Sequence, residues 1–158
     1  MALTTASRLA PYILLKAGER GISVSNLKLQ KLLYYCQAWH LAIADGDGDG
    51  EALFPERIEA WVHGPVVPPV FGLYKEYRWK DIPPPLVATI EEGPAERPIP
   101  DHVAEVLDAY GALSGAELER LTHSEAPWTD ARAGIPAHEP STAIITREAM
   151  RRFYTPGE

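Results

Sequence analysis

The longest stretch of helical periodicity in the sequence covers residues 27–44 and predicts the main helix of the fold. Its apolar positions recur at intervals of three and four residues, which places them on one helix face: Leu29, Leu32, Leu33, Cys36, His40 and Ile43. A second apolar row runs beside this face, so the apolar surface is wide. We therefore expect neighbouring elements to cover this helix on more than one side, with Ser25 or Asn26 as its N-cap.

Shorter periodic segments predict additional helices before and after the central one. Ser114 and Glu117 have the spacing of a capping box, which starts a helix that stops before Pro127. Thr146 stands where its side chain can cap a last short helix. The other predicted helices lie at residues 5–17, 67–77 and 101–110, and the last one lies at 147–153.

Only one segment has the alternating pattern of a β-strand. Residues 57–62 alternate in polarity, and we expect them to pair with residues 52–54, while His63-Gly64-Pro65 ends the strand. The Pro-rich residues 82–100 are typical of an extended surface connection. The predicted fold class is therefore mainly α: a compact single-domain bundle over residues 1–158, with about five to seven helices and at most a small β-hairpin.

The charge balance limits the classes of partner. The chain has 15 Lys and Arg residues against 22 Asp and Glu residues, a formal net charge of −7. A surface of this sign repels phosphates on average, so we expect no nucleic-acid partner. A basic protein partner suits it better, because opposite potentials speed and orient encounter.

The sequence also indicates the compartment. Cys36 is the only cysteine, which excludes an intrachain disulfide and a multi-thiolate metal site. No apolar stretch approaches the about 18 residues needed to cross a bilayer. Pro11 and Lys16 interrupt the N-terminal apolar stretch, so we expect no signal peptide. These features predict a cytoplasmic protein without a membrane partner.

One motif has the spacing of an EF-hand calcium loop, and its members are Asp45, Asp47, Asp49, Gly50 and Glu56. Alternating carboxylates, a glycine for the turn and a final Glu suit calcium. The motif also needs a helix after it, but Pro55 and the alternating residues 57–62 follow instead. We interpret the Asp-Gly tract as a solvated loop, and a calcium-regulated interaction module at Asp45–Glu56 is the alternative.

The histidines offer a second candidate chemistry. The five are spaced too irregularly for a zinc site. His63, before Gly64-Pro65, and His123, before Ser124, are the two that could serve in acid–base catalysis, although each also suits a turn or helix end. Glycine-rich phosphate loops are absent from the places where they would be needed. We therefore predict a non-enzymatic protein without a cofactor, and a small hydrolase using His63 and His123 is the alternative.

Three sequence blocks carry a resemblance to a known family. The first is K-L-Q-K-L-L-Y-Y at residues 28–35. The second is E-A-W followed by G-P-V at residues 59–66, with a later helix that ends in Tyr74 and Tyr77. The third is L-T-H-x-E-x-P-W at residues 121–128. In this order the blocks span most of the chain and resemble the Panacea, or SocA-like, antitoxin domain.

The resemblance implies a mostly helical fold and an antitoxin that neutralises a protein toxin, encoded beside it, by direct contact. It also implies that a member can act as an adaptor that hands its toxin to a bacterial protease. Many members carry an additional DNA-binding domain, for which we expect no room in these 158 residues. The shared blocks describe the fold and do not locate the toxin contact.

We expect the partner contact where aromatic and charged residues meet on exposed ends of elements, because interface centres are rich in aromatic anchors. Trp79 stands beyond a predicted helix, between Arg78 and Lys80, and we expect it to be exposed. For the other aromatic candidates, a role in filling the core is the alternative. The predicted partner-binding residues are Trp61, His63, Tyr74, Tyr77 and Trp79, with no catalytic residue and no metal ligand.

Overall fold

The computed structural model describes residues 2–44 and 51–154. This part of the chain contains seven α-helices, one 3-10 turn at Lys75–Tyr77 and three short strands. The helices are α1 Ala6–Glu19, α2 Asn26–Ile43, α3 Pro68–Tyr74, α4 Ile99–Tyr110, α5 Gly115–His123, α6 Ala126–Arg132 and α7 Arg147–Phe153. The strands are β1 Ile58–Trp61, β2 Gly64–Val66 and β3 Ile144–Ile145. The predicted mainly α fold class is confirmed.

Helix α2 lies at the centre of the fold, as its wide apolar surface predicts. Helices α1, α3, α4, α5 and α7 and strand β2 all pack against it. Leu29, Leu33 and Cys36 are buried, and so is His40. The Ser25 side chain accepts a hydrogen bond from the backbone N–H of Lys28, which confirms the predicted N-cap.

The polar side chains of α2 are buried together with the apolar ones. A buried polar group is costly unless it is hydrogen-bonded, so each of these side chains needs a partner. The partners are backbone groups of other segments: Gly111 for Lys28, Val67 for Gln30, Pro65 for Lys31, and both Leu53 and Phe54 for Gln37. The central helix therefore fixes the positions of three stretches of backbone, at residues 53–54, 65–67 and 111.

The three strands form one antiparallel sheet in the order β2-β1-β3. Trp61 pairs with Gly64, so Val62 and His63 form the turn between β1 and β2. The predicted pairing of residues 57–62 with residues 52–54 is wrong. The backbone of residues 52–54 instead bonds to Leu3, Thr4 and the Gln37 side chain.

The segment His63-Gly64-Pro65 turns the chain back into β2 instead of ending the sheet. Gly64 has φ of 107°, a conformation that glycine adopts without a steric penalty. Pro65 is tolerated because β2 lies at a sheet edge, where a missing N–H is not costly.

The helix termini follow local capping chemistry. The capping box of Ser114 and Glu117 is formed, and Thr146 caps α7 over the predicted residues. Helix α6 was not predicted. Pro127 was expected only to end a helix, and it instead occupies the first turn of a new one. The predicted helix over residues 67–77 is divided into α3 and the 3-10 turn.

Asp45, Asp47, Asp49 and Gly50 of the calcium motif lie outside the described residues, so the interpretation of this tract stays a prediction. The carboxylate of Glu56 is described, and it accepts a hydrogen bond of 2.9 Å from the backbone N–H of Ala6. That bond fixes Glu56 against the N-terminus of α1, where a negative charge is favourable. Over residues 2–44 and 51–154, no helix is long and apolar enough to cross a bilayer.

Two buried histidines share Arg97 on the side of α2 that faces α4. The Nε2 atom of His40 donates to the Glu51 carbonyl at 2.8 Å, and Nε2 of His102 donates to the Cys36 carbonyl at 2.9 Å. Arg97 donates to Nδ1 of His40 at 3.1 Å and to Nδ1 of His102 at 3.3 Å. Because each Nδ1 accepts, both rings are neutral.

This arrangement predicts that acid destabilises the fold. Burial lowers the pKa of His40 from 6.5 to about 4, and the positive charge of Arg97 adds to this shift. At this site the unfolded chain therefore binds more protons below pH 6.5, so the stability that neutral His40 contributes is complete above that pH and is lost as pH falls towards 4. We expect the urea midpoint to drop between pH 7.5 and pH 5.

The His40→Gln variant should show a smaller drop over this pH range, whereas a variant of the exposed His138, His138→Gln, should behave as the wild type. Burial also lowers the pKa of His102, so the drop in His40→Gln should be reduced and not abolished. Equal drops in all three proteins would contradict the role of His40.

Candidate partner-binding groove

An open groove of about 520 Å³ lies between the start of α2, the β1–β2 hairpin and the segment after α3. We call it the tryptophan groove. Three of the five predicted partner-binding residues, Trp61, His63 and Trp79, line it. Its apolar walls are Trp61, Val62, Val66, Phe71 and Trp79.

Trp61 is held in place at the hairpin end of the groove. Its Nε1 atom donates to the carboxylate of Glu59 at 2.8 Å, and its ring meets Phe71 edge to face, with centroids 5.2 Å apart. The same Glu59 carboxylate lies 3.4 Å from Nε of Arg57. Because its polar atom is satisfied, the indole presents an apolar surface in a fixed orientation.

Trp79 forms the opposite wall and is 75% exposed. The exposure predicted from its charged neighbours is confirmed. Covering most of an indole is worth roughly 4 kcal/mol. An indole left in water at the edge of a groove is therefore a strong candidate for a binding anchor.

The backbone before Trp79 is strained. Arg78 has φ of 57° and ψ of −120°, a combination that glycine favours and other residues rarely adopt. Hydrogen bonds on both sides hold the turn: Arg78 N–H to the Lys75 carbonyl, Lys80 N–H to Tyr77 and Ile82 N–H to Val24. The fold thus keeps Arg78 and Trp79 at the groove at some cost in stability.

The floor of the groove contains Lys31, whose side chain is fully buried. Its Nζ atom donates to the Pro65 carbonyl at 3.1 Å, and burial lowers the pKa of Lys31 to about 7, against the opposing effect of Glu119. A Cβ atom on Gly64 would lie 2.6 Å from Cε of Lys31, so a larger residue would have to displace that side chain and would also be strained at φ of 107°. With an exposed fraction of 0%, the amine is out of reach of a water-sized reactant, which argues for a structural role.

The two candidate histidines lie near one carboxylate. His63 is exposed, and its Nδ1 atom lies 2.9 Å from Oε2 of Glu119. His123 stacks on Trp128 with ring centroids 3.9 Å apart, and burial lowers its pKa. A hydrolase of the serine or cysteine type needs a hydroxyl or thiol in hydrogen-bond contact with its base. Within the described ranges His63 has no such contact, and the nearby Thr122 hydroxyl donates to the Glu119 backbone carbonyl.

Tyr74 and Tyr77 do not line the tryptophan groove. Both are partly buried and pack against the core, with their ring centroids 6.5 Å apart. Burial raises the pKa of Tyr74. They lie in the segment that leads to Trp79, so their part in partner binding stays a prediction.

Several groove residues lie far apart in the sequence and were missed. Phe71 lies within the helix predicted over residues 67–77, and the helical pattern gives no sign of a groove. Pro140, Ser141 and Thr142 line the groove from the stretch before β3. No local pattern joins these residues to Trp61, because only the pairing of β1 with β3 brings them together.

The third sequence block has a structural role. One carboxylate oxygen of Glu125 accepts hydrogen bonds from the hydroxyls of Tyr35 at 2.8 Å and Tyr154 at 2.6 Å. Nε1 of Trp128 donates to the Trp61 carbonyl at 2.8 Å. Burial raises the pKa of Glu125. This block therefore connects α2, α7 and the hairpin behind the groove.

Comparison with known proteins identifies the class of protein that this fold represents. The family described as Antitoxin SocA-like, Panacea domain, matches residues 29–129, and the chain belongs to this family. The chain is similar to Antitoxin SocA of Caulobacter vibrioides (strain NA1000 / CB15N), with 30% identity over 132 residues, 78% of this chain and 68% of that protein. No solved structure matches the chain.

The strain at Arg78 predicts that Arg78→Gly stabilises the isolated protein. Relief of about 1–3 kcal/mol of backbone strain should exceed the roughly 0.5–1 kcal/mol that glycine costs through unfolded-state entropy. Lys80→Gly is the matched control, because it removes the same charge from an exposed position without positive φ. The free energy of unfolding, measured with urea, should be higher for Arg78→Gly than for the wild type and lower for Lys80→Gly. An Arg78→Gly protein no more stable than Lys80→Gly would contradict the strain.

Proposed function

We propose that this chain is an antitoxin that neutralises a cognate protein toxin by direct contact, and that the tryptophan groove is the centre of that contact. The observation that carries the proposal is the 75% exposure of Trp79 on the wall of an open apolar groove, in a chain of the SocA-like antitoxin family. Aromatic residues beside such a groove are the usual anchors of protein–protein interfaces.

Two features of the groove favour binding over turnover. The Lys31 amine, whose pKa burial lowers to about 7, is fully buried under the hairpin. The exposed His63 pairs with Glu119, an arrangement that serves equally well as a surface ion pair. Stoichiometric binding needs neither a sealed amine nor a nucleophile, and it uses the apolar walls directly.

Within the groove, Trp79 and Trp61 supply the apolar contact and His63 borders it. Tyr74 and Tyr77 contribute from below by supporting the turn that carries Trp79, since both pack on the core. Contact with the toxin is also the step that delivery to a protease would require. We therefore propose one contact face, whether the toxin is held inactive or passed on for degradation.

The proposal is tested by co-expression of this chain with the product of the neighbouring gene that inhibits growth. Rescue should require at least an equal amount of this chain. Trp79→Ala should lose rescue and weaken binding about thirtyfold or more, because loss of an anchor costs ~2 kcal/mol. Leu86→Ala is the control, since Leu86 is 97% exposed and lies outside the groove.

The same strains separate the alternatives. His63→Gln and His123→Gln should still rescue growth if these side chains are not contacts. Rescue by a catalytic quantity of the chain, abolished in folded His63→Gln and His123→Gln proteins, would establish an enzyme instead. Toxin levels measured in the rescued cells distinguish binding alone, which leaves the toxin intact, from delivery to a protease, which depletes it.

A further inference from the structure

The rim of the tryptophan groove has a charge opposite to that of the whole chain. Within residues 75–80, around Trp79, three exposed cations, Lys75, Arg78 and Lys80, outnumber one exposed carboxylate, Glu76. Among the residues that the structure describes, none of these three cations forms an ion pair. The chain as a whole carries −7, so this cluster is a local exception.

A local cluster of charge decides what a short ligand experiences. At physiological ionic strength, charges further away than about 8 Å are largely screened. A segment bound beside Trp79 therefore senses Arg78 and its neighbours more than the distant acidic surface. The expectation from net charge, a basic partner, is thus reversed at the groove itself.

The polar side chains described on the floor of the groove are held by hydrogen bonds within the protein. Nε2 of Gln30 donates to Oδ1 of Asn26 at 2.9 Å, and Nδ2 of Asn26 donates to the Phe71 carbonyl at 3.2 Å. Oε1 of Gln30 accepts from the Val67 N–H at 2.9 Å. A polar side chain inserted here would lose its hydration and would have to compete with these bonds, whereas an apolar side chain has no such cost.

We propose that the groove binds a short segment of the partner protein that inserts a large apolar side chain against Trp61, Phe71 and Trp79 and places an Asp or Glu carboxylate on Arg78. This inference rests on the proposed function and specifies its partner chemistry. A volume of about 520 Å³ suits one or two side chains. The guanidinium of Arg78 presents paired N–H donors that match a carboxylate.

A protein segment fits this surface better than a polyanion does. Nucleic acid and anionic membranes also attract cations beside an exposed indole. Their charge extends well beyond the rim, however, and would meet a chain of net charge −7. A short acidic and apolar segment gains the attraction of Arg78 and meets fewer carboxylates of the chain than an extended polyanion does.

The test uses the purified full chain and a displayed library of random 12-residue peptides, so it does not depend on the toxin. We expect the selected peptides to pair a large apolar residue with a neighbouring Asp or Glu. Binding of a synthetic selected peptide should fall at least tenfold in Trp79→Ala and in Arg78→Gln, and should fall less in Arg78→Lys, which keeps the charge but loses the paired N–H donors. Raising the salt concentration should weaken the wild type more than Arg78→Gln.

Several results would overturn the inference. These are a library without enriched peptides, enrichment of basic peptides, or binding that is indifferent to Trp79 and Arg78. Tighter binding to phosphatidylserine vesicles or to oligo-dT than to the selected peptides would assign the rim to a polyanion. If the peptides bind as expected but growth rescue fails, the groove chemistry stands and the antitoxin proposal does not. If rescue succeeds and survives Trp79→Ala, the groove is not the contact.

Discussion

Burial of most of α2, 15 of its 18 residues, is the constraint on which the rest of the structure depends. A helix in this position has no solvated face, so its lysines and glutamines must find partners inside the protein. Lys28, Gln30, Lys31 and Gln37 find them on the backbones of three other segments. The helix therefore organises the fold through polar contacts as well as apolar packing.

The tryptophan groove is a direct consequence of two of those contacts. Lys31 holds the Pro65 carbonyl, and Gln30 holds the Val67 N–H, so β2 and the start of α3 are fixed against α2. The hairpin then carries Trp61 to one side of the groove. Because the polar groups of the floor are used to hold the fold, the floor is left with an apolar preference. Lys31 and Gln30 thus hold the fold together and also determine the chemistry of the groove floor.

The groove wall formed by Trp79 depends on the strained backbone of Arg78. Arg78 occupies a backbone conformation that favours glycine, and the turn around it is closed by backbone hydrogen bonds. A natural protein tolerates such strain where the position serves a function. Here the strain positions a guanidinium and an exposed indole next to each other, which is the pair of groups that an acidic and apolar segment requires.

Local features of the fold could be predicted from the sequence, and long-range ones could not. The centre of α2, the caps at Ser25 and Thr146 and the capping box at Ser114 depend on neighbouring residues. The pairing of β1 with β3, by contrast, joins residues more than 80 positions apart, and nothing near residues 57–62 encodes it. Helix α6 was missed because Pro127 is compatible with both a helix end and a first turn.

The same limit applies to the candidate site, whose local features could be predicted and whose long-range features could not. Charged neighbours correctly indicated the exposure of Trp79, because Arg78 and Lys80 have to be solvated. The walls formed by Phe71 and by residues 140–142 follow only from tertiary packing, and the strain at Arg78 is a backbone property that no side-chain pattern reports. The second family block, residues 59–66, forms the hairpin side of the groove. Lys31, Glu125 and Trp128 of the first and third blocks serve the fold, so the blocks together did not single out the groove.

Hydrogen–deuterium exchange of this chain, alone and in complex with its co-purified toxin, tests the contact face most directly. The account predicts slower exchange on binding at residues 61–66 and 75–82, which form the hairpin side and the rim of the groove. It predicts no change at α7, none of whose residues lines the groove. Protection confined to α7 or to α4, with the hairpin and the Trp79 turn exchanging as in the free chain, would contradict it.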